Sequence, residues 1–148
     1  MKILPPLVML VFGVFMYLLA TFLPVGDFDF FGRKELAVFL FGLAILVIFL
    51  GIFQFRRAKT TTNPLDLSKT TKLVTTGIFK YSRNPMYLGM LLILLALGLK
   101  LGNAFNTLLA AGFVYYMNHF QISREEKALT NMFGKQYSAY CKATRRWF

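Results

Sequence analysis

The residues best suited to chemistry lie where a polar, cationic segment runs into an apolar one, at residues 77–89. Arg83, Asn84 and Tyr87 stand within about one helical turn of each other, around Pro85. Proline is tolerated in the first turn of a helix, and a guanidinium inside a membrane needs an anionic partner. We therefore interpret Arg83, Asn84 and Tyr87 as a candidate catalytic group at the start of a membrane helix. The alternative is that Arg83 reaches out to a lipid phosphate.

A second candidate group is the carboxylate pair Glu125 and Glu126, in a segment with helical periodicity over residues 123–146. On a helical wheel with Leu129 at zero, the two glutamates lie at about −40° and +60°, beside an apolar stripe. Carboxylates on a packing face need partners, which favours a functional role. The alternative is a capping box, with Ser123 as the N-cap residue and Glu126 three residues later.

The composition predicts an all-α membrane protein. The chain has 148 residues, of which 57% are hydrophobic, and its mean hydropathy is +0.57. Four apolar runs are long enough, or nearly so, to cross a bilayer as helices. We predict about four transmembrane helices, a tight turn at Gly102 and Asn103, and an amphipathic cytoplasmic helix near residues 123–142. The four runs cover residues 3–23, 36–55, 86–101 and 104–120.

The basic residues predict the orientation. The net charge is +11, and most of the 17 lysines and arginines lie between the second and third runs or after the fourth. By the positive-inside rule, both termini and a polar central loop at residues 56–76 are expected in the cytoplasm of a multi-pass protein. Because the charge is distributed by membrane side, we expect anionic lipids rather than nucleic acid as its partners.

Metal chemistry is not expected. Cys141 is the single cysteine and His119 the single histidine, so clustered ligands of the usual kinds are missing from the sequence. His119 is either a cofactor contact or an interface residue. We expect one domain over residues 1–148, and we interpret the first apolar run as a retained helix rather than a signal peptide.

The two candidate groups together resemble a known family. Residues 77–89 follow the pattern GIF-x-x-x-R-H/N-P-x-Y-x-G, and residues 125–140 follow EE-x-x-L…FG-x-x-Y-x-x-Y. Both patterns resemble those of the integral-membrane methyltransferases, which include isoprenylcysteine carboxyl methyltransferases and phospholipid N-methyltransferases. Many members have His where this chain has Asn84, and Asn cannot titrate near neutral pH. The resemblance covers residues 77–148, and the other half matches in hydropathy alone.

The resemblance implies S-adenosylmethionine as the cofactor. The ribose hydroxyls would suit Glu125 or Glu126, and the methionyl carboxylate would suit Arg83, Asn84, Tyr87 or His119. The sulfonium would suit an aromatic face such as Tyr81 or Tyr87. The helix that carries Tyr137 and Tyr140 would line the adenine, beside the start of the third span. The implied cofactor-binding residues are Tyr81, Asn84, Pro85, Tyr87, Gly89, His119, Glu125, Glu126, Tyr137 and Tyr140.

The predicted function is therefore methyl transfer to a lipophilic acceptor at the membrane–cytoplasm interface. An isoprenylcysteine-like carboxylate, a lipid amine and a thiol all remain possible acceptors, and the oligomeric state is open. Two alternatives remain. One is a nicotinamide-dependent reductase, a class that resembles this family in the same segment but has longer chains. The other is a non-enzymatic membrane scaffold, which would not explain an inward-facing carboxylate pair.

Overall fold

The regular structure of the chain is helical in the residues that the structure describes. A computed structural model describes residues 3–59 and 71–148. The predicted all-α class is confirmed for these residues, and residues 60–70 of the predicted central loop lie outside them. A short 3₁₀ turn, Gly77–Lys80, precedes the third helix. The helices are α1 (Pro5–Phe22), α2 (Arg33–Arg57), α3 (Pro85–Leu101), α4 (Asn106–Tyr116), a π-helical segment (Met117–Ile122), α5 (Ser123–Phe133) and α6 (Lys135–Ala143).

Two helices of the described residues are long and apolar enough to cross a membrane. They are α1, with 18 residues, and α2, with 25. The third apolar helix, α3, is shorter at 17 residues and begins with Pro85 at a position that needs no backbone N–H partner. These helices agree with the predicted membrane protein.

A tight turn joins α3 to α4, as the sequence predicts. Gly102 ends α3 with a φ of +70°, in the left-handed region where glycine is favoured. The buried Asn103 side chain then accepts a hydrogen bond from the Phe105 backbone at 3.0 Å and donates one to the Val25 carbonyl at 3.0 Å. The predicted hairpin is confirmed, and its turn is attached to the loop that follows α1.

The loop between α1 and α2 and the turn between α3 and α4 lie at the same end of the bundle. The Phe28 backbone donates to the Gly102 carbonyl at 2.9 Å, and the Ala104 backbone donates to the Gly26 carbonyl at 2.8 Å. Met16, Leu94 and Phe113 are fully buried between α1, α3 and α4. The start of α3 and the C-terminal segment therefore meet at the opposite end of the bundle.

The interpretation of Ser123 as an N-cap residue is wrong, although α5 does begin at Ser123. The π-helical segment continues α4 directly into α5, and the Ser123 hydroxyl donates back to the Asn118 carbonyl at 2.5 Å. Helical backbone surrounds Ser123, so it does not cap free N–H groups. The capping-box explanation of Glu126 is excluded for the same reason.

The single amphipathic helix predicted near residues 123–142 is also wrong, because the structure has two helices there. Gly134 separates α5 from α6 with φ +49° and ψ −119°, a conformation that strongly favours glycine. The break redirects α6 so that Tyr137 and Tyr140 pack against Phe79 of the 3₁₀ turn. Helical periodicity continues across Gly134 in the sequence, which is why the break was not predicted.

Candidate active site

Arg83 points into the protein at the start of α3. Its side chain is only 12% exposed, and its Nη2 donates to Glu126 Oε1 at 2.8 Å. Its Nη1 donates to the carbonyls of Thr144 at 2.7 Å and Cys141 at 3.1 Å, at the C-terminal end of α6. The anionic partner expected for Arg83 is therefore Glu126, and the interpretation of Arg83 as a lipid-phosphate anchor is not supported.

Glu126 bridges two arginines. Arg146 donates from Nε to Oε1 at 3.0 Å and from Nη2 to Oε2 at 2.6 Å, while Arg83 shares Oε1. Burial alone would raise the pKa of Glu126, but the hydrogen bonds from Arg146 and Arg83 outweigh burial and hold that pKa below its ordinary value. Glu126 is therefore ionised at neutral pH, and it fixes the relative positions of the two guanidinium groups.

Asn84 attaches the C-terminal segment to the start of α3. Its Nδ2 donates to the Arg146 carbonyl at 2.9 Å, and the Arg83 backbone donates to the Arg145 carbonyl at 3.0 Å. The buried Ser82 hydroxyl accepts a hydrogen bond from the Asn84 backbone at 3.1 Å. These bonds place the last residues of the chain beside the Arg83–Glu126 pair.

Glu125 forms a second, more deeply buried group with Tyr87. The Tyr87 hydroxyl donates to Glu125 Oε1 at 2.6 Å, and Gln121 Nε2 donates to the same oxygen. Arg124 in turn donates to Gln121 Oε1 at 2.8 Å. Glu125 is only 9% exposed, and burial raises the pKa of its carboxyl to about 7, although the hydrogen bonds from Tyr87 and Gln121 act in the opposite direction. Glu125 is thus able to exchange a proton near neutral pH.

The continuous helix from α4 to α5 positions this group. Gln121 lies one helical turn before Glu125, so both side chains face the start of α3. A π-helical segment shifts the facing of the residues after it, and such segments are frequent at functional sites. The prediction that Glu125 and Glu126 both turn inward and have partners is confirmed.

Pro85 and Gly89 lie against α2 rather than toward the carboxylates. A Cβ atom at Gly51 of α2 would lie 3.4 Å from the Pro85 ring, and one at Gly89 would lie 3.0 Å from the Ala44 carbonyl oxygen. Both residues therefore allow α2 and α3 to pack closely. In this way they set the position of Tyr87, which lies between them in the sequence.

Tyr137 and Tyr140 are buried beside the arginine cluster, in a packed group with Phe79. The Tyr140 hydroxyl donates to the Phe79 carbonyl at 2.7 Å. Burial raises the pKa of both phenols well above the ordinary value, so both stay protonated. In this structure the two tyrosines join α6 to the segment before α3.

The structure does not bring Tyr81 and His119 into the cluster. Tyr81 is 76% exposed. His119 is exposed and lies against Tyr115, with 4.2 Å between the ring centroids and 3.2 Å from its Nδ1 to the Tyr115 carbonyl. Their cofactor contacts, implied by the resemblance, stay predictions.

One buried donor of the cluster has no hydrogen-bond partner in the part of the chain that the structure describes. Arg83 Nε is buried and makes no hydrogen bond with the described residues. Three arginines, Arg83, Arg124 and Arg146, lie around two glutamates, of which Glu125 is partly neutral near pH 7. An unpaired N–H and an excess of positive charge suit an anionic group of a small molecule, such as a carboxylate.

Comparison with known proteins identifies the family. The family model described as phospholipid methyltransferase matches residues 32–136, most of the chain. The chain belongs to the phospholipid methyltransferase family. The resemblance inferred from the two sequence patterns is confirmed, and the methyltransferase class of the protein follows from it.

Two curated proteins are similar to parts of this methyltransferase. A protein of Haemophilus influenzae, described as uncharacterized, is 48% identical over 62 residues, which are 42% of this chain and 98% of that relative. The protein-S-isoprenylcysteine O-methyltransferase of Schizosaccharomyces pombe is 36% identical over 75 residues, which are 51% of this chain. The match spans 32%, about a third, of that yeast protein. No solved structure shows a significant match.

Sequence reasoning missed two members of this methyltransferase's polar cluster, Gln121 and Arg146. Gln121 is a buried amide at the end of an apolar run, four residues before Glu125, and this spacing was a usable signal. Arg146 belongs to a basic C-terminal tail, where it was interpreted as one more cytoplasmic cation. No feature of the sequence distinguishes Arg146 from its neighbours.

The raised pKa of Glu125 predicts a pH dependence of stability. Its ordinary pKa is 4.5 and its value in the folded methyltransferase is about 7, so folding favours the protonated form. The contribution of Glu125 to the free energy of unfolding is complete below pH 4.5 and is lost as the pH rises to 7. For a pKa shift of this size the loss amounts to roughly 3 kcal/mol. The depressed pKa of Glu126 acts in the other direction and changes the stability only below its ordinary pKa of 4.5, so the interval from pH 4.5 to 7 reports Glu125. The melting temperature of the wild type in detergent should fall between pH 4.5 and 7. The melting temperature of Glu125→Gln should change much less over the same interval. Parallel curves for the two proteins would contradict this assignment.

Proposed function

We propose that this protein is an S-adenosylmethionine-dependent methyltransferase that acts on a lipophilic acceptor at the cytoplasmic face of a membrane. Membership of the phospholipid methyltransferase family supports methyl transfer in a membrane. The main structural support for the proposal is a buried polar cluster, formed by Arg83, Glu126 and Arg146 beside the Tyr87–Glu125 pair. The cluster lies at the end of the helices, where a water-soluble cofactor and a lipid can both approach.

Two polar groups of the cluster would hold the cofactor. The unpaired Arg83 Nε, with Asn84 beside it, suits the methionyl carboxylate. Among the described residues, the hydrogen bonds to Glu125 all reach Oε1, which leaves Oε2 to accept from the ribose hydroxyls. Glu126 keeps the two arginines in place. When bound, the cofactor supplies a methyl group activated by its positively charged sulfur.

The residues of the chain then orient the acceptor and handle its proton. Methyl transfer is a direct displacement, so the main task of the protein is to hold acceptor atom, methyl group and sulfur in line. A carboxylate acceptor needs no base. An amine or thiol acceptor must lose a proton, and for such an acceptor Glu125, with a pKa of about 7, would take it through Oε2 in place of the ribose contact.

The acceptor class is drawn from the relatives. The family description names phospholipids, and the name of the yeast relative specifies an S-isoprenylcysteine. Both are lipophilic molecules that present a small reactive group near the membrane surface. We propose that the acceptor of this protein has the same character and enters from the bilayer.

We also propose that four helical segments cross the membrane, with both termini in the cytoplasm. The hydrogen-bonded α1–α2 loop and α3–α4 turn lie at one end of the bundle, and the basic end of α2 and the basic C-terminal segment lie at the other. The positive-inside rule places the basic end, with the polar cluster, in the cytoplasm.

Cysteine labelling tests this arrangement. In a Cys141→Ala background, a cysteine at Asp29 should react with a membrane-impermeant thiol reagent from the outside of intact cells. A cysteine at Ser138 should react only after permeabilisation. Labelling of both positions from the same side would contradict the proposed topology.

The proposed activity is tested by following the methyl group. Membranes that contain the protein, and matched membranes without it, are incubated with S-adenosylmethionine carrying a radioactive methyl group. We expect label to enter the lipid-extractable fraction in proportion to the amount of protein. Absence of protein-dependent label in lipids and lipidated peptides, with membranes from the native host as the acceptor source, would count against the proposal.

A further inference from the structure

A cavity lies at the end of the bundle far from the polar cluster. It has a volume of about 200 Å³, and the side chains around it are mostly apolar, including Met16, Leu40, Leu94 and Leu99. The exposed Thr107 also lines it, so the cavity reaches the surface of the bundle. Gly98, about three helical turns along α3 from Tyr87, forms part of the wall, roughly 16 Å from the candidate active site.

A residue of the cavity wall carries an amide that is unpaired among the described residues. Asn106, at the start of α4, is only 2% exposed, yet neither its Oδ1 nor its Nδ2 has a hydrogen-bond partner among the described residues. Buried amides in folded proteins are nearly always satisfied, because an unmade hydrogen bond costs stability. Asn106 therefore needs a partner that both donates and accepts.

The other polar side chains of the wall are already satisfied within the protein. Asn103 bonds to the Val25 carbonyl and the Phe105 backbone, and Thr107 donates to the Ala104 carbonyl at 2.7 Å. A buried water molecule typically makes about three hydrogen bonds, and beyond the two groups of Asn106 this largely apolar wall offers it no free polar side chain among the described residues. The cavity is also several times larger than one water molecule.

The charge near the cavity is neutralised. Arg33 lies beside the Gly102 turn, and its Nε is paired with Asp29 at 2.8 Å. Its Nη1 donates to the carbonyls of Leu99 and Lys100, at the end of α3. An uncharged ligand therefore suits the cavity better than an ionised one.

We propose that this cavity is a binding site for a lipophilic alcohol, with the hydroxyl group hydrogen-bonded to the Asn106 amide. A hydroxyl both donates and accepts, so one group can satisfy Oδ1 and Nδ2. The hydrocarbon part of the alcohol lies against Met16 and Leu94. The site is distinct from the candidate active site and does not depend on the proposed methyl transfer.

The test measures melting of the full chain, purified in a detergent that has no hydroxyl groups. We expect 1-decanol to raise the melting temperature saturably by several degrees, and n-decane, which has the same chain without the hydroxyl, to have little effect. The Asn106→Leu variant should lose the shift, and it should melt above the wild type without ligand because its unpaired amide is gone. The matched control Thr107→Val, whose hydroxyl is already paired with a neighbouring carbonyl, should keep the shift.

A second measurement uses the wild type alone. A decanol analogue that carries a photoreactive diazirine should label the residues around Gly98 and Asn106. Labelling confined to other surfaces would overturn the proposal. So would an equal response to decanol and decane, or an unchanged decanol shift in Asn106→Leu. A third outcome would also overturn the proposal: Asn106→Leu melts above the wild type, but decanol has no saturable effect on the wild type. That result would mean that the amide holds water only.

Discussion

Replacement of Arg83 by alanine is expected to lower the rate of methyl transfer at least a hundredfold. Arg83 makes a charged hydrogen bond to Glu126 and donates to two carbonyls of the C-terminal segment, and its buried Nε has no partner among the described residues. Hydrogen bonds to charged groups contribute about 1.5–3 kcal/mol each, and 1.4 kcal/mol corresponds to a tenfold change. Transfer of a radioactive methyl group to lipid, measured in membranes with equal amounts of inserted protein, gives the result.

The Arg83→Lys variant separates charge from geometry. Lysine keeps the positive charge but cannot reproduce the planar fork that reaches Glu126, Thr144 and Cys141 together, so we expect poor rescue. Lys80→Ala is the matched control, because Lys80 is an exposed cation three residues away and should be replaceable without loss. Full activity in both Arg83 variants would contradict the assignment of Arg83 to the active site.

The second large effect is expected at the carboxylate pair. Glu125→Gln should weaken the binding of S-adenosylmethionine tenfold or more, because an amide is a weaker acceptor for ribose hydroxyls than a carboxylate. Glu126→Gln should also weaken binding, since it loosens the arginines that Glu126 holds. Equilibrium binding of radioactive cofactor to the purified variants measures both effects.

Glu35→Gln is the control for this pair, since Glu35 is an exposed glutamate in the first turn of α2, at the far end of the bundle. It should bind the cofactor as the wild type does. Unchanged affinity in Glu125→Gln and Glu126→Gln, with normal melting of both proteins, would show that the two glutamates do not recognise the cofactor.

Local features of the fold were predictable from the sequence. Pro85 indicates the start of α3, and Gly102 with Asn103 indicates the turn before α4, because each of these residues favours a particular backbone conformation. The inward direction of Glu125 and Glu126 follows from their place on the helical wheel. Arg83 was expected to have an anionic partner because an unpaired guanidinium is costly at a membrane boundary.

Features that depend on tertiary contacts were not predictable. A helical wheel gives the direction of the Glu126 side chain but does not identify its partner, so Arg146 was missed. Arg146 nevertheless donates hydrogen bonds to both carboxylate oxygens of Glu126, whereas Arg83 donates to one. The π-helical segment that brings Gln121 to Glu125 has no clear sequence signal, and because it runs directly into α5 it leaves no free N–H groups for Ser123 to cap. The break at Gly134 depends on the packing of Tyr137 and Tyr140 against Phe79. The unpaired amide of Asn106 becomes apparent only when every hydrogen bond around it is known.

The central claim is that this membrane protein uses S-adenosylmethionine, and direct binding to the purified wild-type protein tests it. Radioactive S-adenosylmethionine and NADPH are titrated side by side against the same folded sample. We predict saturable binding of S-adenosylmethionine, its displacement by S-adenosylhomocysteine, and no saturable binding of NADPH. Binding of NADPH without S-adenosylmethionine, or of neither molecule, would contradict the proposed function.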